Sequence, residues 1–337
     1  MNQDDAPLEV VLAHLEVLAN QSLGLWEEVP QGARAELINV SENATYLVTA
    51  PGWKSILRVH RENYHTRRAI ECELAWSTDL NANGGVAAPG YYLGRDGEAI
   101  QSGIVEGLSA PRFMVMFEFV EGVQPDESHD LVPSFRELGE IAAKTHIHTI
   151  SWERPEPFER LTWDLATVFG PDATWGNWRD APNVTDSVAD TLQRVEDTVV
   201  RRLAAFGKDN ERFGLIHADM RLANLLVDQQ GNTRLIDFDD CGLGWFLYDF
   251  AAGISFMEDS PLVPDLKRAW VEGYRAVRPM SEEEAHEIET FVMLRRLALL
   301  AWIGSHIEAP EPQAMAKDFA RVSAELGERY LAEYAVE

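Results

Sequence analysis

The chain has 337 residues, of which 46% are hydrophobic, and this is enough for two domains or lobes with substantial cores. Its 29 Lys and Arg residues against 56 Asp and Glu residues give a formal net charge of −27. That negative field repels nucleic acid and anionic membrane surfaces, so the composition argues against both as partners. It would attract a cationic small molecule, although acidity of this kind also serves solubility alone.

The cysteine content and the N-terminal sequence indicate the compartment. The two cysteines, Cys72 and Cys241, argue against a disulfide framework and suit a reducing cytoplasm. The chain begins with the acidic sequence MNQDDAPLEV, which is unlike a signal peptide, and no apolar run approaches membrane-spanning length. We therefore expect a soluble, cytoplasmic protein.

The first third of the chain combines two helix patterns with several strand patterns. Apolar residues at helical spacing predict helices over 7–20 and 66–80. Strands are predicted over 36–40, 45–49, 55–60 and 113–120, and the segments 91–93 and 99–102 suggest a further hairpin. The last long strand reads FMVMFEFV and is almost wholly apolar, which is typical of a central, buried strand. The polar stretch 121–130 that follows is a fair boundary between two lobes.

The remainder of the chain is mainly helical by the same criterion. Helices are predicted over 133–149, 186–206, 265–277, 281–308 and 315–334, and Ser281 followed by three glutamates has the form of a capping box. Two adjacent arginines, Arg295 and Arg296, interrupt an apolar run in the fourth of these helices. We expect a surface position for both, although one could face inward to pair with a carboxylate near Asp249 or to bind an anionic group of a substrate.

Segment 151–182 is rich in tryptophan and proline and has little periodicity. It holds four tryptophans and several acidic residues: Trp152, Trp163, Trp175 and Trp178 with Asp164, Asp172 and Asp180. These side chains could line a pocket for a cationic amine through cation–π contact and charge, or they could simply pack the segment against the rest of the protein.

Stretch 213–253 contains the most informative pattern. Three apolar runs alternate with loops that hold polar residues, namely His217, Asp219, Asn224, Asp237, Asp239 and Asp240. The turn at 228–232 folds 225–227 back against 233–236 as a hairpin, so both loops emerge at one end and bring Asn224 close to Asp237. Amide and carboxylate oxygens in that arrangement make a site for a hard cation, suited to Mg²⁺ on a nucleotide phosphate.

Two motifs in this stretch resemble those of a known fold. Residues 217–224 read HADMRLAN and resemble the catalytic loop H-x-D-x-x-x-x-N of the protein-kinase-like fold, while 236–239 read IDFD and resemble its metal-binding D-F-G segment. With YDFA at 248–251, the ordered set resembles the aminoglycoside phosphotransferase and choline kinase family, within it the branch similar to homoserine kinase type II and stress-response kinases. The resemblance covers most of the chain and is weaker in the first 120 residues.

The resemblance implies roles for the residues of the two motifs. Asp219 would accept or orient the proton of the attacking hydroxyl, while Asn224 and Asp237 would hold Mg²⁺. Arg221 is expected to reach the γ-phosphate, or else to be a surface charge, and His217 to brace the loop by hydrogen bonds. The remaining carboxylates are assigned as a second metal contact or substrate ligand (Asp239 and Asp240) and as a structural acceptor of backbone N–H groups or a helix cap (Asp249).

The resemblance also implies a nucleotide site in the first 120 residues. Arg58 stands where this fold normally has a phosphate-pairing lysine, with Lys54 beside the preceding turn as the runner-up. Glu73 is expected to pair with Arg58, with Glu71 as the alternative. The chain has no glycine-rich loop between its first two strands, where Ser41 and Asn43 are the available phosphate-loop residues unless they form an ordinary turn. The backbone C=O of Glu118 and N–H of Val120 would recognise adenine.

The fold class implied is a two-lobed, protein-kinase-like α+β fold. A small, antiparallel-sheet N-terminal lobe (1–120) would bind the nucleotide, and a larger, mainly helical C-terminal lobe (121–337) would carry catalysis and the acceptor site. The implied activity is ATP-dependent, Mg²⁺-assisted transfer of the γ-phosphate to a hydroxyl of a small molecule, for which we favour an amino alcohol or a hydroxy amino acid similar to homoserine, with a cationic group. The alternatives are a Ser/Thr protein kinase, an aminoglycoside kinase, and a nucleotide-binding regulator without turnover. The sequence does not indicate an oligomeric state.

Overall fold

The computed structural model describes residues 7–40, 43–125 and 130–335 of the chain. Its first part is an antiparallel sheet with two long helices. The elements are α1 (Leu8–Ser22), β1 (Arg34–Val40), β2 (Ala44–Ala50), β3 (Trp53–Val59), α2 (Arg67–Asn83), β4 (Tyr91–Tyr92), β5 (Gln101–Gly103) and β6 (Arg112–Glu118). The strand order is β1-β2-β3-β6-β4, with β5 also paired to β6, so the most apolar strand is central as predicted.

The two faces of this sheet are covered by different helices. On β2 alternate residues point inward, and the buried Tyr46 and Val48 pack with Leu18 of α1 and with Trp26. Helix α2 begins at Thr66, whose side chain accepts the N–H of Ala69 at 3.0 Å. The helix therefore starts at a fixed residue beside the end of β3, which places Glu73 under that strand.

The second part of the chain is mainly helical and carries two small sheets. Its elements are α3 (Val132–Ser151), β7 (Leu161–Trp163), α4 (Leu165–Phe169), α5 (Asp186–Phe206), β8 (Phe213–Ile216), β9 (Leu225–Val227), β10 (Thr233–Leu235), β11 (Gly242–Trp245), α6 (Tyr248–Gly253), α7 (Val263–Val277), α8 (Glu282–Ser305), α9 (Pro310–Met315) and α10 (Phe319–Tyr334). Strands β9 and β10 form the predicted hairpin, and β11 lies between β7 and β8.

Helix packing in this part depends on two close backbone approaches and one central helix. A Cβ added at Gly139 of α3 would lie 2.1 Å from the carbonyl oxygen of Trp270, and one added at Gly273 of α7 would lie 1.9 Å from that of Arg136. The two helices can therefore touch only because both positions lack a side chain. Helix α8 starts with the predicted capping box of Ser281 and is buried over most of its length.

Three further comparisons with the sequence predictions concern the fold. The hairpin suggested around 91–102 is wrong, because β4 and β5 both pair with β6 and not with each other. The boundary between 120 and 121 stays a prediction; β6 ends at Glu118, and Val123 pairs with Val227 of β9. Within the ranges that the structure describes, no helix combines the length and apolar character needed to cross a membrane.

Candidate active site

The loop at 217–224, which resembles a catalytic loop, follows β8 and is fixed by hydrogen bonds to one buried carboxylate. Asp249, at the start of α6, accepts the backbone N–H of His217 at 3.3 Å and that of Ala218 at 2.7 Å, and it also contacts His146 at 2.9 Å. Ala218 has φ of 65°, a left-handed conformation that a non-glycine residue adopts only when its surroundings enforce it. Asp249 therefore has the structural role predicted for it, and it fixes the loop conformation that presents Asp219.

Asp219 and Asn224 lie together at the end of this loop. The Nδ2 group of Asn224 donates to the backbone oxygen and to Oδ2 of Asp219, each at 2.8 Å. The hairpin then returns the chain, since the N–H of Ile236 donates to the carbonyl of Asn224 at 2.9 Å and Nε2 of His217 lies 3.1 Å from the carbonyl of Ile236. His217 thus braces the two loops against each other, as predicted.

Asp237 follows directly and faces the cleft between the sheet and the helices. Its φ is 61°, a second enforced left-handed residue at the site. Although 47% of its side chain is exposed, the protein around it desolvates the carboxylate. That desolvation, with the nearby Asp239 and Asp219, raises the pKa of Asp237 in spite of Arg58, whose Nη1 lies 3.4 Å away. A bound cation would therefore stabilise the ionised form of Asp237.

Arg58 and Glu73 form the buried ion pair expected between β3 and α2. Their side chains are 6% and 2% exposed, and Nη2 of Arg58 donates to Oε1 of Glu73. The same guanidinium lies 3.4 Å from Asp237 and 3.6 Å from Asp239, so one arginine forms ion pairs with both α2 and residues 237–239. Burial alone would lower the pKa of Arg58, but these three carboxylates raise it above its usual value. The alternative partner Glu71 pairs instead with Arg67 and Arg68 on the outer face of α2.

Asp239 does not turn towards the cleft with Asp237. Its buried carboxylate lies 3.5 Å from Nε2 of His65 and 3.8 Å from Nδ1 of His60, in addition to Arg58. These groups hold the pKa of Asp239 well below its ordinary value against the opposing effect of burial. Across the described parts of the chain, no group of three His, Cys, Asp or Glu side chains is arranged to hold a metal ion. A metal-binding role for Asp239 therefore stays a prediction.

The other residues predicted for nucleotide binding lie around the sheet. Asn43 is buried, and its Oδ1 accepts the backbone N–H of Arg61 at 3.1 Å, while Ser41 lies outside the described residues. Glu118 ends β6, where its N–H donates to the carbonyl of Gly90 at 2.8 Å, and Val120 follows it. Their predicted roles towards phosphate and adenine stay predictions.

Comparison with known proteins identifies the chain at this point. Residues 35–280 match the phosphotransferase enzyme family. The chain belongs to that family. A microcompartment-associated aminopropanol kinase of known structure is 41% identical, covers 95% of this chain and 98% of its own, and superimposes with a TM-score of 0.87. An amicoumacin kinase bound to AMP-PNP and Ca²⁺ has a TM-score of 0.74 at 19% identity, over 94% of this chain and 96% of its own, which shows the shared fold.

Curated relatives of the phosphotransferase are more distant. The homoserine kinase of Pseudomonas aeruginosa is 27% identical over 68% of this chain and 68% of its own length. The homoserine kinase of Neisseria meningitidis serogroup B is 34% identical over 104 residues, which are 30% of this chain and 33% of that protein. The predicted family, the protein-kinase-like α+β fold and the assignment as a kinase acting on a small molecule are thereby confirmed.

Two expectations about this phosphotransferase need correction or refinement. A surface position for Arg295 and Arg296 is wrong, because both side chains are only 3% exposed. The alternative, an arginine that faces inward and pairs with a carboxylate, is the one observed. The partner of Arg295 is Asp219 itself, whose Oδ1 lies 3.3 Å from Nη2. Arg221, expected at a phosphate, has its Nε 3.0 Å from that same Oδ1 and its guanidinium over the ring of Phe256.

Most tryptophans of segment 151–182 pack in the protein core and do not line an open pocket. Trp163, Trp175 and Trp178 are buried in the core, and Asp164 caps α4 and pairs with Lys208 at 2.6 Å. Arg160, which the sequence reasoning did not single out, is buried and donates to the carbonyls of Asp239 and Cys241. The sequence holds no clear signal for it, because β7, which follows Arg160 directly, is only three residues long and its pairing with β11 is visible only in the fold.

Proposed function

We propose that this phosphotransferase uses ATP to phosphorylate the hydroxyl of a small amino alcohol. The observation that carries the proposal is the placement of Asp219 at the cleft, with Asn224 bonded to it and Asp237 on the adjoining loop. The relative with 41% identity over nearly the whole chain is an aminopropanol kinase, which supports an amino alcohol as acceptor.

The donor set fits a divalent cation that arrives with the nucleotide. Both N–H groups of the Asn224 amide are used by Asp219, so Oδ1 is the atom left for a cation. The half-exposed Asp237 supplies a carboxylate whose pKa is raised by desolvation and by the neighbouring Asp239 and Asp219. Mg²⁺ typically binds through one or two carboxylates together with phosphate oxygens and water, and when bound it neutralises charge that develops on the phosphates. We therefore assign Asn224 and Asp237 as its ligands.

The nucleotide would lie against the sheet. Arg58, held by Glu73, presents a fixed cation to the phosphates, and a planar guanidinium can bind two phosphate oxygens at once. Asn43 would lie beside the phosphates, and the backbone of Glu118 and Val120 would bind adenine. The buried free thiols Cys72 and Cys241 suit a reducing cytoplasm, and location there is part of the same proposal.

At the acceptor side, Asp219 orients the substrate hydroxyl. Burial opposes ionisation, but Arg221 and Arg295, with His217 and Asn224, hold the pKa of Asp219 below its ordinary value, so it is a carboxylate at neutral pH. The hydroxyl oxygen attacks the γ-phosphorus as the bond to the ADP oxygen breaks, and the hydroxyl proton passes to Asp219 or on to solvent. Fixed geometry supplies most of the rate under this mechanism.

A hydroxy amino acid similar to homoserine is the second candidate acceptor. Arg221 contacts Asp219 and is partly exposed, so its guanidinium could also meet an acceptor carboxylate that an amino alcohol lacks. The homoserine kinases among the relatives support this alternative at lower identity. The two candidates differ in one functional group, so a direct kinetic comparison separates them.

ADP release should be measured over amino alcohols, homoserine, choline, an aminoglycoside and a generic protein substrate. We expect the highest kcat/KM for a short amino alcohol; preference for homoserine would select the second candidate, and activity on the protein alone would refute both. Asp219→Asn should lower kcat by about 10²- to 10⁴-fold, the usual contribution of a positioned proton acceptor. The stabilisation by ATP and Mg²⁺ in a thermal-shift assay should survive, because Asp219 is not assigned to the nucleotide. Asp190→Asn, at an exposed position of α5, is the control, and its activity should equal that of the wild type.

A further inference from the structure

Arg295 lies at the inner side of the acceptor site and is fixed by hydrogen bonds from three segments. Its Nη2 donates to Oδ1 of Asp219 at 3.3 Å, its Nη1 to the hydroxyl of Tyr248 at 3.3 Å, and its Nε to Oγ of Ser255 at 3.2 Å. The partners belong to the catalytic loop, to the start of α6 and to the chain just after α6. Each guanidinium nitrogen therefore has a different, fixed acceptor.

Aromatic packing restricts the same group further. The Arg295 guanidinium lies 5.1 Å from the ring centre of Trp175 and 5.6 Å from that of Tyr248, and its side chain is 3% exposed. A planar guanidinium between rings and three acceptors cannot rotate without breaking several of these contacts together. Arg295 is thus a rigid support, in contrast to the partly exposed Arg221 on the same carboxylate.

The two oxygens of Asp219 are held from opposite sides. Oδ1 accepts a hydrogen bond from Arg295 and forms an ion pair with Arg221, and Oδ2 accepts a hydrogen bond from Nδ2 of Asn224. We propose that Arg295 is a positioning residue that fixes the rotation of the Asp219 carboxylate, so that the acceptor hydroxyl meets it in line with the γ-phosphate. This inference rests on the proposed function, and it adds a residue that acts through Asp219 without touching either substrate.

The chain supplies a matched control in the next residue. Arg296 is on the same helix and is equally buried, but its contacts are Glu258 at 2.5 Å, Ser323 at 2.8 Å and the ring of Phe319. Loss of Arg296 leaves the buried Glu258 without its cationic partner, and loss of Arg295 removes one of the two cations on Asp219, so both variants should be destabilised. Only loss of Arg295 should also disturb Asp219.

The first test compares Arg295→Met with Arg296→Met in steady-state phosphotransfer. We expect Arg295→Met to lower kcat by about 100-fold, as a misplaced catalytic group does, with the KM for ATP changed by less than about three-fold. Arg296→Met should lose thermal stability but keep kcat within about three-fold of the wild type. Equal losses of kcat in the two variants, or an unchanged kcat in Arg295→Met, would overturn the inference.

A double variant shows whether Arg295 acts through Asp219. If it does, Arg295→Met added to Asp219→Asn should cause little further loss of kcat, whereas independent effects would multiply. Multiplying effects would refute the positioning role. Should Arg295→Met fail to fold, Tyr248→Phe removes only the hydroxyl that holds Nη1, and kcat should fall by about five-fold, the effect of one hydrogen bond. Its control is Tyr330→Phe, whose buried hydroxyl bonds Thr290, and equal kcat values in these two variants would count against the inference.

A crystal structure of Arg295→Met, or of Tyr248→Phe, gives a result that does not depend on the acceptor. The Asp219 carboxylate should be rotated or disordered while the backbone of 217–224 is unchanged, because Asp249 still holds that loop. An unmoved carboxylate would refute the positioning role even in an active enzyme. Conversely, a wild-type protein that phosphorylates none of the acceptors would end the proposed function, while the same crystal structure would still decide how Asp219 is held.

Discussion

Replacing Glu73 by glutamine tests the buried pair that connects α2 to the cleft. The Glu73 and Arg58 side chains are 2% and 6% exposed, so the substitution removes one charge from a desolvated pair while keeping its shape. Two unit charges about 4 Å apart interact by roughly 4 kcal/mol at an effective dielectric constant of 20. The glutamine oxygen can still accept a neutral hydrogen bond worth about 1 kcal/mol.

The expected loss of unfolding free energy is therefore about 3 kcal/mol, at the low end of the range of about 3–5 kcal/mol for breaking a buried pair. It is not larger because Asp237 and Asp239 still lie 3.4 and 3.6 Å from the same guanidinium. Since Arg58 would also be held less firmly, we expect the KM for ATP to rise.

The assay is urea unfolding, in which the midpoint should fall with an unchanged slope. Glu71→Gln is the matched control: it is on the same helix, its side chain is 39% exposed, and it pairs with Arg67 and Arg68. Exposed pairs contribute at most about 1 kcal/mol, so this variant should be nearly as stable as the wild type. If Glu71→Gln costs as much as Glu73→Gln, or if Glu73→Gln costs less than about 1 kcal/mol, the reasoning from burial fails.

Two other predictions concern stability. The pKa of Asp164 is lowered from 3.8 because the hydrogen bond from Lys208 and those from the backbone at the start of α4 outweigh burial, so its stabilisation is complete above pH 3.8 and is lost as pH falls through the lower folded value. Asp164→Ala should thus cost about 1 kcal/mol at pH 7. The difference from the wild type in urea unfolding should shrink as the pH falls below 3.8, and a difference independent of pH would contradict the prediction. Gly273→Ala should cost at least about 2 kcal/mol, because the new Cβ would meet the carbonyl of Arg136 at 1.9 Å, whereas Gly24→Ala, with no atom within 4 Å, should cost little by calorimetry.

Features that depend on neighbouring residues could be predicted from the sequence. The hairpin of β9 and β10 places Asn224 next to Asp237 because a short polar turn leaves the chain little choice, and the capping box at Ser281 involves residues three apart. The pair of Arg58 and Glu73 came from the family resemblance, since strand and helix patterns alone do not say which acidic residue of α2 faces β3. Glu71 and Glu73 differ by two positions and point in different directions.

The contacts of Arg295 were harder to predict, because its partner Asp219 lies 76 residues earlier in the chain. General preference puts arginine at the surface, and that preference gave the wrong position. The sequence did contain an opposing signal. The run from Phe291 to Ile303 is apolar on every face of its helix, which is typical of a helix buried all round, and an arginine within such a helix must find acceptors inside the protein.

The net charge of −27 does not describe the cleft, and this bears on how an acidic protein can bind an anionic nucleotide. The side chains in and directly behind the cleft include five carboxylates and four arginines: Glu73, Asp219, Asp237, Asp239 and Asp240 with Arg58, Arg160, Arg221 and Arg295. These charges nearly cancel, so most of the excess negative charge is carried by the rest of the chain, mostly in solvent, where salt screens it within about 10 Å. Under the proposed function a divalent cation arriving with the phosphates would meet Asp237, and Arg58 would face the phosphates, while Arg221 and Arg295 pair with Asp219. The local pairing of buried charges, and not the overall charge, therefore determines which ion this site favours.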